Sequence, residues 1–319
     1  MTDLFHSERY YALALDPIHV GTGGYHLGRV DMSIVREPGT NLPKIPGTSI
    51  SGACRTYAAM RHNNKGKWPH CAGQGQQDQT TGAKGHCGSR DCPICVTFGF
   101  IKGNSSFQGL AQFSDARLVL FPVHSVVGPV WVTCPDVLHD LIDIPAPEDD
   151  QVYTAGKLGA EDKLNLGWLM LKVENNFELR GRLSAVLDAT GDLLDRAVLV
   201  SNKLFSQIVN DNLEVRTSVS IDPTTGAAAD GALYTYEALP RSTVLAFDVV
   251  ISNPAYFQLG GQKPLGGDRD RINETVRKGL TLFETLGVGG MTTRGMGRLR
   301  ITGCESLDCK EVQHEQAES

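Results

Sequence analysis

Three groups of residues in this chain could do chemistry: one aspartate in a glycine-rich stretch, four cysteines in a segment with almost no aliphatic residues, and three arginines around a second glycine-rich loop near the end. The aspartate, Asp31, lies in HVGTGGYHLGRVDMSIVREPGTNLPKIPGTSISGACR, residues 19–55, after Gly21, Gly23, Gly24 and Gly28. Small residues on either side of a lone aspartate let an extended polyanion lie along the backbone with one carboxylate facing it. An aspartate of ordinary pKa, about 3.9, is a poor base at neutral pH, so the role expected of Asp31 is to hold Mg²⁺ or another divalent ion that activates a hydroxyl. His19 and His26 could assist proton transfer, although a lone histidine beside a glycine loop is more often a hydrogen-bonded structural residue. Glu237 is a comparable weak candidate.

The second half of the same stretch suits an anion. Pro43 and Pro46 keep the backbone extended, Gly47 permits close approach, and Thr48 or Ser49 can cap a following helix over 48–62. Ile50, Ala53, Cys54, Tyr57 and Ala58 give that helix one apolar face. Its free N–H groups would point across Lys44, Ser49 and Ser51, with Arg55 one turn on, where a phosphate would fit. A capped surface helix after a proline turn gives the same local pattern.

Between Asn63 and Thr97 the composition changes to a polar, glycine-rich segment that cannot build a core of its own. Cys71, Cys87, Cys92 and Cys95 are spaced C-x15-C-x4-C-x2-C, and the Cys92-Pro93-Ile94-Cys95 knuckle is the usual way to bring two thiolates to one tetrahedral ion. A structural Zn²⁺ is expected here, with His70 or His86 able to replace a cysteine. Four protein ligands would close the site to water, which argues against a zinc phosphoesterase.

The 319 residues, 41% hydrophobic, can bury one sizeable core or two modest ones. No apolar run is long enough to span a bilayer and the start lacks a signal-peptide pattern, so a soluble, cytoplasmic protein without membrane contact is expected. The net charge of −6 excludes a chain-wide electrostatic grip on nucleic acid, and any anion-binding surface must be local. Eight cysteines in such a chain point to metal before disulfides.

These groups must be positioned by the surrounding elements. Residues 10–18 alternate as a half-buried first strand. Residues 109–113 and 116–121 read as an antiparallel pair joined at Ser114-Asp115, 140–163 as a surface excursion, 168–173 as a strand and 193–200 as a helix. Residues 206–240 read as a long projecting hairpin turning at Asp222-Pro223-Thr224-Thr225-Gly226. A β-rich run follows at 243–252, and Ile272, Val276, Leu280 and Phe283 mark a second amphipathic helix closed by Gly287. GVGGMTTRGMGRLRI then carries Gly289, Gly290, Arg294, Gly295, Arg298 and Arg300 into a last strand at 298–301. The expected division is a first core part (1–62) with the Asp31 loop, a zinc-binding insertion (63–97), core strands and excursions (98–205), a hairpin thumb (206–240), the end of the core (241–303) and an acidic tail (304–319).

GVGGMTTRGMGRLRI resembles the glycine-rich loop that marks the RAMP superfamily of CRISPR effector proteins. The stretches at 20–55, FSDARLVLFPVHSVVGPVWVTCPDVL and VSIDPTTGAAADGALYTYEALP are similar to the repeated backbone subunit of the type III-B (Cmr) complex. The cysteine insert departs from that subunit and is more like the zinc knuckles of related Csm-type and fused RAMP effectors. The resemblance implies an α+β, ferredoxin-like (RRM-like) core with a zinc-knuckle insertion and a β-hairpin thumb. It also implies that copies of the chain stack as a filament along a guide crRNA, with other type III CRISPR subunits and a complementary target RNA as partners. Each thumb would displace a base, and Asp31 would direct the target's 2′-hydroxyl at the adjacent phosphate, so that cuts recur at regular intervals. Gly21, Gly23, Lys44, Gly47, Ser49, Arg55, Gly289, Gly290, Arg294, Gly295 and Arg298 are the expected RNA contacts. A scaffold with the same grip on guide RNA, in which Asp31 only caps a turn, is the competing reading.

Overall fold

A computed structural model describes residues 4–23, 30–62, 68–73, 85–156, 158, 162–175, 177–187 and 193–307. His26, with Gly24 and Gly28, lies outside the described residues, as does the tail from residue 308.

The chain opens with β1 (Phe5–Ala14) and, after the Asp31 stretch, α1 (Gly47–Arg61). Within and after the cysteine segment come α2 (Pro93–Phe98), β2 (Phe100–Lys102), β3 (Ser105–Phe107), β4 (Ala111–Phe113), β5 (Arg117–Val123), β6 (Val130–Thr133) and the one-turn α3 (Pro135–Leu138). Then follow β7 (Gln151–Thr154), β8 (Lys163–Leu166), β9 (Leu169–Asn175), α4 (Phe177–Leu187), β10 (Ala197–Leu199) and α5 (Asn202–Asp211). The last part holds β11 (Glu214–Ile221), β12 (Ala228–Ala238), β13 (Val244–Ser252), α6 (Asp270–Leu280), α7 (Phe283–Leu286) and β14 (Leu299–Ser306). Among the described residues no helix is long and apolar enough to cross a membrane.

One ten-stranded sheet runs β14-β1-β13-β5-β6-β10-β7-β9-β8, with β4 also on β13. β1 pairs antiparallel with β13 on one side and β14 on the other. Both faces of β1 are covered. Tyr10, Ala12 and Ala14 join the core that contains Ile50 and Cys54 of α1 and Ile272 and Val276 of α6, while Tyr11 joins a second core with Leu138, Leu179 and Leu183. The continuous apolar run of YYALA is the signature of a strand buried on both sides. The half-buried strand expected from its alternation is corrected accordingly.

α1 and α6 pack side by side because residue 279 is a glycine. A β-carbon there would collide with the Cys54 carbonyl oxygen and stand 2.5 Å from its sulfur. The Cys54 thiol in turn donates to the Val276 carbonyl at 3.4 Å. The second amphipathic helix thus lies beside the first, as the sequence order predicts, broken after Leu280 and closed at Gly287 with φ of 78°.

Several expected elements differ. The runs at 109–113 and 116–121 form β4 and β5, which pair in succession with β13 rather than with each other. Ser114-Asp115 is therefore an interruption in one edge, and it leaves the Asp115 side chain free to turn toward α1. The helix expected at 193–200 is a short turn followed by β10, whose Ala197, Val198 and Leu199 are fully buried between β6 and β7. A short apolar run carries no period that separates a buried strand from a helix. The excursion at 140–163 contains β7, with Val152 and Thr154 buried. The hairpin is shorter than expected, β11 and β12 at 214–238, because Phe205, Ile208 and Val209 make α5 amphipathic. β14 extends to Ser306, so residues 304–306 are strand and not tail.

Gly279→Ala tests the helix contact. The substitution should lower the unfolding free energy by roughly 1–3 kcal/mol through overpacking against α1, read as a lower urea midpoint. An unchanged midpoint would mean the two helices do not meet at Cys54.

Candidate functional site

The Asp31 stretch, the root of the hairpin and the second glycine-rich loop converge at one place, and β12 joins them. Residues 30–36 run beside β12 as an extra extended segment. Met32 bridges Tyr236 in parallel, Met32 N donates to Thr235 O at 3.1 Å, and Glu237 N donates to Met32 O at 3.1 Å. The two-residue period of a strand then sorts the neighbours of β12 by face. Tyr236 and Ala238, with Tyr234 beside them, pack on Met291 and Met296 of the glycine-rich loop and on Met32. Thr235 and Glu237 turn to the residues flanking Met32.

Thr235 takes Asp31. Its N–H donates to Asp31 Oδ2 at 2.7 Å and its hydroxyl to the same oxygen at 2.9 Å, while Asp31 N donates to Thr235 Oγ1 at 3.1 Å. The Thr235 N–H and hydroxyl hold the carboxyl below the usual aspartate range. The Asp31 side chain stays half-exposed, and among the described residues Oδ1 has no hydrogen-bond partner.

Glu237 is differently used. Its carboxylate pairs with Arg36 Nη2 at 2.8 Å and accepts from Ile34 N at 3.4 Å, and the residue is 7% exposed. Arg36 is fixed further by Asn210 Oδ1 at 2.8 Å and the Ile34 carbonyl at 3.0 Å. Both contacts of the Glu237 carboxylate fall on Oε2. His19, 5% exposed, contacts the Glu237 carbonyl through Nδ1 at 2.6 Å and stands edge-on to the Tyr236 ring at 5.9 Å. Both weak catalytic candidates thus make these contacts at the hairpin root.

The glycine-rich loop is anchored to the first loop through its backbone. Gly290 N donates to His19 O at 2.8 Å, Gly297 N to Pro17 O at 2.8 Å, and Val288 N to Gly297 O at 2.8 Å. A side chain at Gly289, where φ is 89°, would drive a carbon into the His19 carbonyl, and one at Gly21 would meet the His19 ring at 3.0 Å. Val288 and Met296 are buried anchors, while Gly289, Gly290, Arg294 and Gly295 face outward. Arg294 Nη1 donates to the Tyr234 hydroxyl at 2.6 Å. Arg298 forks onto Asp16, with bonds of 2.5 and 2.9 Å. Gly23, exposed with φ of 79°, ends the described part of the first loop.

Lys44, Gly47 and Ser49 do not form the open anion site expected of them. α1 begins at Gly47 without a cap from its own serine or threonine. The Asp115 carboxylate occupies its N-terminus, accepting from Gly47 N at 2.8 Å and from Lys44 Nζ at 2.5 Å. A fixed internal anion already takes the Gly47 N–H and faces the positive end of the macrodipole. Gly47 is required there because a β-carbon would run into the carbonyls of Phe113 and Ser114. The sequence signal for this cap was the polar Ser-Asp break between two apolar runs, which only the sheet register connects to Gly47.

Arg55 is likewise moved to another role, at the cysteine cluster. It donates to the carbonyls of Cys71 at 2.8 Å and Phe98 at 3.3 Å, and to His86 Nε2 at 2.9 Å. Burial, then the Arg55 charge, lower the His86 pKa, so its ring is neutral and turned to Arg55. The four sulfurs of Cys71, Cys87, Cys92 and Cys95 all lie within 4.8 Å of one another, and among the described residues this is the only group of three or more such ligands. His86 and His70 are not in it. Sγ separations are 3.7 Å for Cys87–Cys95, 3.7 Å for Cys71–Cys95 and 3.9 Å for Cys71–Cys92. Cys92 also opens α2, with Cys95 N donating to its sulfur at 3.5 Å.

The RAMP superfamily model matches residues 12–300, from the second half of β1 to the start of β14. The chain belongs to the RAMP superfamily. A RAMP relative, the CRISPR system Cmr endoribonuclease Cmr4 of Pyrococcus furiosus, is 24% identical over 309 residues, covering 90% of this chain and 92% of the relative. Among solved structures, a subunit of apo type III-B Cmr-beta matches with a TM-score of 0.64 at 14% identity, covering 94% of this chain and 97% of that one. A subunit of Cmr-beta bound to cognate target RNA matches with a TM-score of 0.64 at 14% identity, over 92% and 96% of the two chains. Oligomeric Cmr4 from Pyrococcus furiosus matches with a TM-score of 0.59 at 18% identity, over 95% and 99%. The three solved structures share this chain's fold over more than nine-tenths of its length.

The Asp115 cap gives a pH test. Burial would raise its pKa, but Lys44 and the Gly47 N–H outweigh it and hold the carboxyl below its usual value. Its contribution to stability is therefore full above the unfolded value, about 3.9, and is lost as pH falls through the lower native value. Asp115→Ala should cost about 0.5–2 kcal/mol at neutral pH, and the gap from wild type should close in acid. A gap independent of pH would show that the carboxylate charge is not what caps α1.

Proposed function

We propose that this chain is the repeated backbone subunit of a type III-B CRISPR ribonucleoprotein, which binds guide RNA and, through Asp31, cleaves complementary target RNA at regular intervals. The observation that carries the reading is the placement of a half-exposed carboxylate, fixed through one oxygen, at the root of a two-stranded hairpin whose other face packs on a glycine-rich loop. Membership in the RAMP superfamily and the likeness to a Cmr endoribonuclease support it. The strand order β14-β1-β13 with β4 and β5 beyond, and α1 and α6 on one face, supports reading the core as ferredoxin-like.

The hairpin has the character of a thumb. Val219 and Leu233 face each other across it and are 44% and 68% exposed, and Val215 and Ile221 are exposed on the same strand. Apolar side chains on a projecting ribbon suit insertion between stacked bases. Displacing a base opens the backbone so that a ribose 2′-hydroxyl can line up with the neighbouring phosphate.

Asp31 fits a divalent ion held by one protein carboxylate and shared with RNA phosphate, as Mg²⁺ is often bound. Such an ion would lower the pKa of the attacking hydroxyl and screen the phosphate. Asp31 contributes the ligand oxygen, and the hairpin root sets where that oxygen stands. The exposed Gly289, Gly290, Arg294 and Gly295, with Gly21 and Gly23, are the proposed contacts to RNA phosphates and sugars, which are independent of base sequence.

The cysteine cluster fits structural Zn²⁺. Four thiolates at about 2.3 Å from one zinc ion would lie roughly 3.8 Å apart; three of the six sulfur pairs stand 3.7 to 3.9 Å apart, and all lie within 4.8 Å. Zinc with four thiolates carries a net charge of about −2, which the half-buried Arg55 guanidinium would offset in part. Purified protein should hold about one zinc per chain, lost when Cys92 and Cys95 are changed to serine. Well-folded protein free of zinc would remove the assignment.

For cleavage, the decisive comparison is wild type against Asp31→Ala in the assembled complex with guide RNA. The variant should bind guide and target RNA normally and fail to cut, while the wild type should need a divalent ion and spare 2′-deoxyribose at the cut positions. Periodic cutting by Asp31→Ala would reject the role of Asp31. A wild-type complex that binds target and never cuts would favour a scaffold.

A further inference from the structure

We infer that Thr235 is the positioning residue of the cleavage site, and that through it the hairpin controls where the Asp31 carboxylate stands. The inference rests on the proposed role of Asp31. It concerns a residue outside the glycine loops, on the hairpin itself.

The geometry is specific. Both Thr235 donors, N–H at 2.7 Å and hydroxyl at 2.9 Å, converge on Oδ2. The same hydroxyl oxygen accepts from Asp31 N at 3.1 Å. This closed set of three bonds ties both the backbone and the side chain of Asp31, and it distinguishes the two carboxylate oxygens: Oδ2 is held, while among the described residues Oδ1 accepts no hydrogen bond. The hydroxyl is a donor to the carboxylate and an acceptor from the amide at once, which only serine or threonine supplies at this distance. A freely rotating aspartate would have to be ordered at the moment of reaction, whereas this one is ordered beforehand.

Thr235 lies on β12 between Tyr234 and Tyr236, the residues that pack on the glycine-rich loop. Any displacement of the hairpin root therefore moves the carboxylate with it. The main-chain pairing of Met32 with Thr235 and Glu237 does not involve the hydroxyl, so the side chain can be removed without detaching the loop.

The test uses the assembled complex with guide RNA and three variants. Thr235→Val keeps the shape and the backbone bonds and removes the hydroxyl. Its single-turnover cleavage of target RNA should fall about tenfold to a hundredfold, the usual loss for hydrogen bonds to a charged group. Guide and target affinities should stay within about twofold of wild type, and hydrogen exchange at residues 32–36 should not change, while the Asp31 amide, which loses its acceptor, should exchange faster. Thr235→Ser should restore the rate. Asp31→Ala serves as the reference. Wild-type cleavage by Thr235→Val, with Asp31→Ala inactive, would overturn the inference and leave the role of Asp31 standing. Faster exchange at 32–36 with weakened guide binding in Thr235→Val, unrelieved in Thr235→Ser, would also overturn it by making Thr235 structural. Full cleavage by Asp31→Ala would instead overturn the reading on which the inference rests.

Discussion

The two-sidedness of one strand governs the site. Along 234–238 of β12, Tyr234, Tyr236 and Ala238 take one face while Thr235 and Glu237 take the other. The glycine-rich loop belongs to the first face, and Asp31 with the Ile34–Arg36 segment belongs to the second. His19 links the two loops as well: its carbonyl accepts from Gly290 and its ring contacts the Glu237 carbonyl. A one-residue slip of β12 would exchange every partner. The buried Arg36–Glu237 pair opposes such a slip, because moving either partner would leave a charge buried alone.

The cysteine segment shows how an insertion without a core is kept in place. Its buried neighbours are few: Ala58 and Ala59 of α1, Ile94 and Phe100, with the thiols themselves. The small alanines allow the segment to approach α1 closely, and Arg55 on the adjacent turn of α1 reaches over to bond the Cys71 and Phe98 carbonyls. Those carbonyls would otherwise need water, and a guanidinium presents donors in several directions at once. α1 thus meets α6 through Cys54 and the insertion through Arg55, two neighbouring positions on different faces.

The legible parts of the sequence were those with a period or a fixed spacing. α6 declared itself through Ile272, Val276 and Leu280, the hairpin turn through Asp222 to Gly226, and the cysteine cluster through its C-x2-C knuckle. α5 was hidden because the hairpin pattern was extended backward over Phe205, Ile208 and Val209. β10 was hidden because three buried residues have no measurable period. At the site, Asp31 stood out by its glycine neighbours, but its partner Thr235 is 204 residues away and looks like any threonine in a strand. The Asp115 cap was illegible for the same reason: helix N-termini are read locally, and this carboxylate comes from a break in a strand on the sheet. Lys44 and Arg55 were read as free cations because composition counts charges and says nothing of which are already paired.

That last point bears on how an acidic chain would hold RNA. Arg298 is paired with Asp16, Lys44 with Asp115, Arg36 with Glu237, Arg277 with Glu8 and Arg300 with Glu284. Arg294 differs: its partner is the neutral Tyr234 hydroxyl, and among the described residues no carboxylate pairs with it. On the proposed reading, then, each subunit would offer few uncompensated charges near the glycine loops, and the per-subunit grip on phosphate would rest on backbone N–H groups and one arginine. Counterion release scales with the number of phosphates neutralised, so a single subunit of this kind holds RNA weakly. Repetition along a guide strand supplies what the subunit lacks, since each further contact is made at high effective concentration. A net charge of −6 is consistent with a protein that must bind RNA as an array and remain loosely bound as a lone subunit.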